Sequence, residues 1–364
     1  MAVSTISATG LADSVSQLGK NLVQNGAMTV NQRGISALAL DGANQYTVDR
    51  WRVQEATSAG VIQVNKSTTV PAGAGFASSL HIDVTTADTS LAAGDYVLIY
   101  QTIEAQNLQH LAYGNAAAKT LSLSFWVRSP KSGTHAVGIY QSDGARHYIR
   151  EYTVTSADTY EYITVTFPGD AGGTINNDTG SGLDVYFGLA TGSTYQNTAD
   201  TWAAGQDWST SSAVNCMDNA ANNFYLTGVQ LEVGSVATDF EHEPVSVTLQ
   251  KCRRYFDRLN VDSASAVRFL AGVASTTAQA DGIWQFKVEM RAAPTVTSTA
   301  VGTFLVNYLS AAAGGGAIGF DSQSTKQTRV YITSVTGSPL TQGNALYFTR
   351  DSTLTAYLQA SADL

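Results

Sequence analysis

The sequence predicts an all-β protein: a larger β-sandwich, a short helical connector and a second, smaller β-sandwich, with a short helix at the N-terminus. Three observations carry that expectation. Charged residues make up only 13% of the 364-residue chain, about half the usual share, and Thr, Ser, Asn, Gln and 32 glycines take their place. Such a composition favours strands and turns, because Thr, Val and Tyr suit a pleated sheet. Apolar and polar residues alternate with period two through most of the chain, and a strong helical period appears in one segment only, 245–259.

Taken in order, Leu11, Val15, Leu18 and Leu22 recur at spacings of 4, 3 and 4. That is the seam of a short helix, read either as docked on its own domain or as an oligomerisation and docking helix. From Asn21 to about Val245 the pattern is that of strands. In "TLSLSFWVR" (120–128), Leu121, Leu123, Phe125 and Val127 alternate with Ser122, Ser124, Trp126 and Arg128. "EYITVTF" (161–167) and "LDVYFGLA" (183–190) alternate in the same way. One face of each is buried and the other free, as in a sandwich of antiparallel sheets. Asp143-Gly144 between "HAVGIYQ" and "RHYIREYTV" signals a hairpin. "VSVTLQKCRRYFDRL" (245–259) is the best helix and the natural boundary, with Leu249, Cys252, Phe256 and Leu259 forming an apolar seam for interdomain packing. Residues 260–364 return to short strands and Gly-rich turns, and "LTAYLQASADL" closes the chain as a strand. The organisation is therefore 1–20, 21–245, 246–259 and 260–364.

A net charge of −9 with no basic block argues against a nucleic-acid partner, which needs concentrated positive charge. No stretch is long and apolar enough to predict membrane insertion, and the N-terminus does not read as a secretory signal. Cys216 and Cys252 are too few for a disulfide framework and lack metal-ligand spacing. The five histidines, His81, His110, His135, His147 and His242, form no ligand pair at helical spacing. No phosphate-cradling loop or nucleophile elbow is present. Asp143 and Glu151 flank one hairpin, but among 29 acidic residues such a pair is weak support for a glycan-cleaving site. The expectation is a protein that is not an enzyme and uses no cofactor.

Several segments together resemble a known family. "NLVQNGAMTVNQRG" (21–34), "YTVDRW" (46–51), "LSLSFWVRS" and "FYLTGVQLEVGSVATDFEHEP" (224–244) resemble a jelly-roll domain of the carbohydrate-binding-module type found in tailed-phage fibre and other virion proteins. "KCRRYF" and "MRAAPTVT" (290–297) resemble the C-terminal half of such proteins. The resemblance implies a virion structural protein made in the bacterial cytoplasm: a homotrimeric tail fibre or similar appendage contacting host-surface glycans. Its N-terminal segment would dock on other virion proteins of the tail or head. A capsid decoration or head fibre, and a glycan depolymerase, are the alternatives. Jelly-roll modules of this type often hold calcium near the first Asn-Gly and in the closing strand. Here Asn25-Gly26 is followed by Ala27 and Met28, and the closing strand reads Phe224-Tyr225-Leu226-Thr227, so no metal is expected.

The candidate glycan face follows from placing the strands of the 120s, 140s and 180s in one sheet. Their free faces would then present Trp126, Arg128, Tyr140 and Tyr186 together, rings for stacking on sugars beside hydrogen-bonding groups. The competing reading is that this face packs on a loop, the other domain or a neighbouring protomer, since protein interfaces use the same chemistry. The segment "TGSTYQNTADTWAAGQDWSTSSAVN" (191–215) adds two tryptophans and a tyrosine to a long polar loop. Trp202 belongs to a piece that recurs in the phage family and reads as an anchor that pins the loop inward. Trp208, between Asp207 and Ser209, reads as the exposed ring, with Tyr195 a further candidate contact; the competing reading is a wholly structural loop that carries its own small core.

Overall fold

Alternation does build sheets: the protein is nearly all β. The computed structural model describes residues 19–261, 268–299, 304–308, 311–314, 316–333, 335, 340–350 and 356–364. Two compact units divide between Thr248 and Leu249. Leu11, Val15 and Leu18 lie outside the described residues. Leu22 does not continue a helix: its backbone N–H donates to Leu231 O at 2.8 Å and its side chain packs on the first unit's core. That pairing with the distant strand 223–233 outweighs the local helical period.

The first unit begins with β1 (Leu38–Leu40), β2 (Asn44–Tyr46), β3 (Arg52–Ala56), β4 (Val61–Ser67), β5 (Ser79–Thr86) and β6 (Tyr96–Glu104). A 3₁₀ turn, Ala105–Leu111, leads to β7 (Leu121–Arg128), β8 (Gly133–Gln141), β9 (Arg146–Val154) and β10 (Glu161–Phe167). β11 (Ser181–Thr191), β12 (Trp202–Ala204) and β13 (Asn223–Val233) complete it. A six-stranded sheet runs β1-β4-β5-β13-β7-β10, and a seven-stranded sheet runs β12-β9-β8-β11-β6-β3-β2. Neighbouring strands are antiparallel throughout, as in a jelly roll. Between the sheets lies one core in which Phe125 of β7 meets Phe187 of β11 edge-to-face at 5.0 Å, with Trp51, Leu123, Val127 and Val185 around them. The expected hairpin joins β8 to β9 through Ser142–Ala145, with Ala145 at positive φ.

The opening motif is a structural knot. Asn25 takes a positive φ of 54° and is buried. Its Nδ2 donates to Val30 O and Asp49 O, its Oδ1 accepts from Val30 N, and its carbonyl accepts from Trp51 Nε1 at 3.1 Å. Next to it, Gly26 lies where a Cβ would come within 2.0 Å of Val229 O. The Asn-Gly pair and the Trp of "YTVDRW" thus hold the two ends of the opening segment together inside the core.

The second unit corrects the expected 246–259 helix. α1 spans Val245–Arg253, Tyr255 N–H closes on Cys252 O, and the chain then becomes a strand, β14 (Phe256–Val261). "FDRLNV" pairs residue for residue with the last strand of the chain, Phe256 opposite Ser361 and Leu259 opposite Leu358. A full set of cross-strand bonds outweighs helical continuation there. Of the expected seam, Leu249 and Cys252 stay on the helix, whereas Leu259 packs against the second unit's own core.

The remaining strands are β15 (Arg268–Ala274), β16 (Ala280–Gln285), β17 (Thr295–Ser298), β18 (Phe304–Tyr308), β19 (Ala311–Gly314), β20 (Ala317–Asp321), β21 (Gln327–Thr333), β22 (Ala345–Arg350) and β23 (Ala356–Ser361). They form a three-stranded sheet, β14-β23-β17, and a seven-stranded sheet, β19-β18-β22-β15-β16-β21-β20. Trp284, Phe304, Val306, Val330, Phe348 and Leu358 are among the buried residues of their core.

Candidate functional site

The first unit's seven-stranded sheet turns one set of side chains into the core and the alternate set outward. On its outward side the sheet carries a trough of small residues: Ala136 and Gly138 on β8, and Gly188 on β11. A Cβ on Gly138 would stand 2.2 Å from the Tyr186 hydroxyl, and one on Gly188 would stand 2.8 Å from Trp208 O. The trough therefore seats Tyr186 and lets the loop 192–215 lie directly on the sheet.

That loop buries the ring expected to be exposed. Trp208 is only 9% exposed and joins Leu98, Ala136, Ile149 and Tyr186 in a satellite core on the outer face. Its indole meets Tyr186 at 5.0 Å and Tyr140 at 6.1 Å, both edge-to-face. The backbone N–H of Trp208 donates to Tyr195 O at 2.9 Å, and Gln196 bridges to Ser209, which folds the loop back on itself. Tyr186 is fully buried beneath it and donates its hydroxyl to Asp207 O at 3.0 Å. Neither Trp208 nor Tyr186 is offered to a ligand, because the aromatic cost of the polar loop is met by packing on the trough. Trp202 is half-buried at the opposite end, donating Nε1 to Pro168 O at 3.0 Å and packing on Tyr148 and Tyr113.

Trp126 and Arg128 also part from the expected group. β7 lies in the six-stranded sheet, so both side chains face away from the sheet that carries Tyr140 and Tyr186. There Trp126 packs on Tyr162 at 5.3 Å, and Arg128 pairs with Asp158 at 3.1 Å while lying over Tyr225. The physical reason is non-local: β7 hydrogen-bonds to β13, about a hundred residues onward, and this partner decides its sheet.

What remains open on the seven-stranded sheet is the half formed by β2, β3, β6 and β11, with Tyr140 from β8 at its border. Cross-strand register sets its side chains in rows. Tyr46, Arg52 and Tyr100 are opposite one another in turn, and so are Thr102, Asp184 and Tyr140. The groups hold one another in place. Asn44 Nδ2 donates to the Tyr100 hydroxyl at 3.0 Å, Arg52 Nε donates to Asn44 Oδ1 at 3.1 Å, and Gln54 Nε2 donates to the Tyr96 hydroxyl at 2.6 Å. The Arg52 guanidinium stacks over both Tyr46 and Tyr100. Tyr195 from the loop meets Tyr96 edge-to-face at 5.0 Å.

Apart from Thr102, which is buried, these side chains are half-buried, neither sealed in the core nor fully solvated. Burial pushes the Tyr100 phenol up against the opposing pull of Arg52, and it raises Tyr96 and Tyr140 as well. The phenols therefore stay neutral and act as rings with a hydroxyl tip. Of the residues expected from sequence, Tyr140 and Tyr195 border this face; Arg52, Gln54, Asn44, Tyr46, Tyr96, Tyr100 and Asp184 were not singled out. Their signal is in the sequence: "YVLIYQT" alternates Tyr96, Leu98, Tyr100 and Thr102, and "RVQ" alternates Arg52 and Gln54.

No protein family model matches the chain, and no curated protein matches it in sequence. Solved structures do resemble it. One is the enzymatically active domain of tailspike protein 4 of bacteriophage CBA120, at 13% identity and a TM-score of 0.33, over 59% of this chain and 22% of that one. Another is a carbohydrate-binding module of the CBM4 type, at 17% identity and a TM-score of 0.31, over 58% of this chain and 99% of the module. A third is the family 11 carbohydrate-binding module of Clostridium thermocellum in complex with a β-1,3-1,4-mixed-linked tetrasaccharide, at 15% identity and 0.28, over 56% and 100%. The tailspike is thus matched over about a fifth of its length.

Proposed function

We propose that the first unit is a glycan-binding jelly roll that holds sugar without cleaving it, on the face formed by Tyr46, Arg52, Tyr96, Tyr100, Tyr140 and Asp184. The observation that carries the reading is the composition of that face. Neutral phenol rings supply flat apolar surface for the C–H faces of a sugar, while Asn44, Arg52, Gln54 and Asp184 supply donors and acceptors for its hydroxyls. The loop packed on Trp208 walls one side, so a ligand lies across β2, β3, β6 and β11.

The wider role is a homotrimeric appendage at the surface of a phage virion, meeting host-surface glycan. It is supported by the order of the segments from "NLVQNGAMTVNQRG" to "MRAAPTVT", which resemble phage fibre and virion proteins. The binding reading is tested by retention of the protein on immobilised neutral polysaccharides, followed by sizing of the recovered polymer. Retention with unchanged polymer length is the expected result; shortened polymer would replace it with an enzyme.

A further inference from the structure

The open face contains a carboxylate that its neighbours leave incomplete. Asp184 stands between Thr102 on β6 and Tyr140 on β8. The neighbouring Thr102 hydroxyl favours its charged form, yet Oδ1 is buried with no hydrogen-bond partner. A buried acceptor left without a donor is costly, and native structures rarely tolerate one unless something else completes it. Arg52 does not fill the gap, since its Nε donates to Asn44 and its guanidinium is stacked over Tyr46 and Tyr100. The titratable groups around Asp184 are Arg52 from β3, Tyr100 from β6, Tyr140 from β8, and Tyr186 along β11 itself. The phenols carry no charge at neutral pH, so Arg52 is the one charge among them.

Resting on the glycan-binding reading above, we propose that Asp184 is the hydroxyl acceptor of this face: its Oδ1 takes an O–H of a neutral sugar, and binding requires the ionised carboxylate. The two oxygens of an ionised carboxylate are equivalent and its terminal torsion is broad, so rotation can exchange them and turn either towards the ligand. A sugar hydroxyl there completes the carboxylate as no side chain of the face does.

This assignment makes binding acid-sensitive. Burial, the largest influence on Asp184, pushes its pKa up to about 6, against smaller opposing effects of the Thr102 hydroxyl and Arg52. A hydroxyl donated by ligand favours the charged form, so it lowers that pKa and binding expels a proton. Affinity is therefore highest above about pH 7 and falls as acid protonates Asp184.

The test is titration calorimetry of the full chain with neutral gluco-, xylo-, galacto- and manno-oligosaccharides at about pH 7.5 and about pH 5. One pH unit below a pKa near 6 about a tenth of the carboxylate is ionised, so binding is expected to weaken about tenfold at the lower pH. Asp184→Asn, with its fold checked by circular dichroism, is expected to bind more weakly at about pH 7.5 and to lose the pH dependence. Wild-type affinity that is equal at the two pH values overturns the assignment, and so does an Asp184→Asn variant that keeps the dependence. Failure of the wild type to bind any of the four at about pH 7.5 overturns the glycan reading itself and the assignment with it.

Discussion

Asp184 gives the clearest consequence at the scale of single residues. Its carboxyl binds a proton more readily folded than unfolded, because burial disfavours the charge. Between about pH 4 and about pH 6 the folded state therefore holds the extra proton, and stability falls as pH rises through that window. An uncharged amide in the same place avoids the loss. Asp184→Asn is expected to raise Tm by a few degrees at about pH 7.5, with the gain shrinking towards zero near pH 4. Thermal melts across that range check this, and a variant less stable than wild type at neutral pH would contradict it. A residue that costs stability in the empty protein and improves binding is what a ligand-facing group is expected to be.

At the scale of elements, the loop 192–215 and the trough beneath it form one packed unit on the sheet. Trp208 fills that unit with Tyr186 and Tyr140. Trp208→Ala is expected to cost about 3–5 kcal/mol of stability and to increase amide exchange through the loop, measured by denaturant unfolding and hydrogen exchange. A change under about 1 kcal/mol would mean the indole is not a core residue. The same element shows what was and was not legible in the sequence. Alternation located β7, β10 and β11 and told inward from outward residues within each. It carried no information on which sheet a strand joins, and so it grouped Trp126 with Tyr140 across opposite sides of the sandwich. The trough was legible only in hindsight, as glycines and alanine on the outward positions of two strands that pair far apart in sequence. The helical period of 245–259 failed at Phe256 for a similar reason, since its partner strand is the last of the chain.

The whole molecule joins a jelly-roll unit to a smaller β unit. The proposed role at a phage virion surface carries its own prediction. Antibodies against residues 260–364 are expected to decorate the tail of intact particles by electron microscopy. Labelling spread over the head would shift the protein to a decorating role and turn the aromatic face towards assembly.

In the proposed function, sugar is held on the outer face of the first unit's seven-stranded sheet. The measurement that tests it most directly is oligosaccharide binding by wild type and by a Tyr100→Ala, Tyr140→Ala double variant, side by side at about pH 7.5. Each lost ring is worth about 1 kcal/mol of stacking, so the account predicts that the double variant stays folded and binds about thirtyfold or more weakly. Unchanged affinity in a folded double variant would contradict it and move any sugar site elsewhere on the protein.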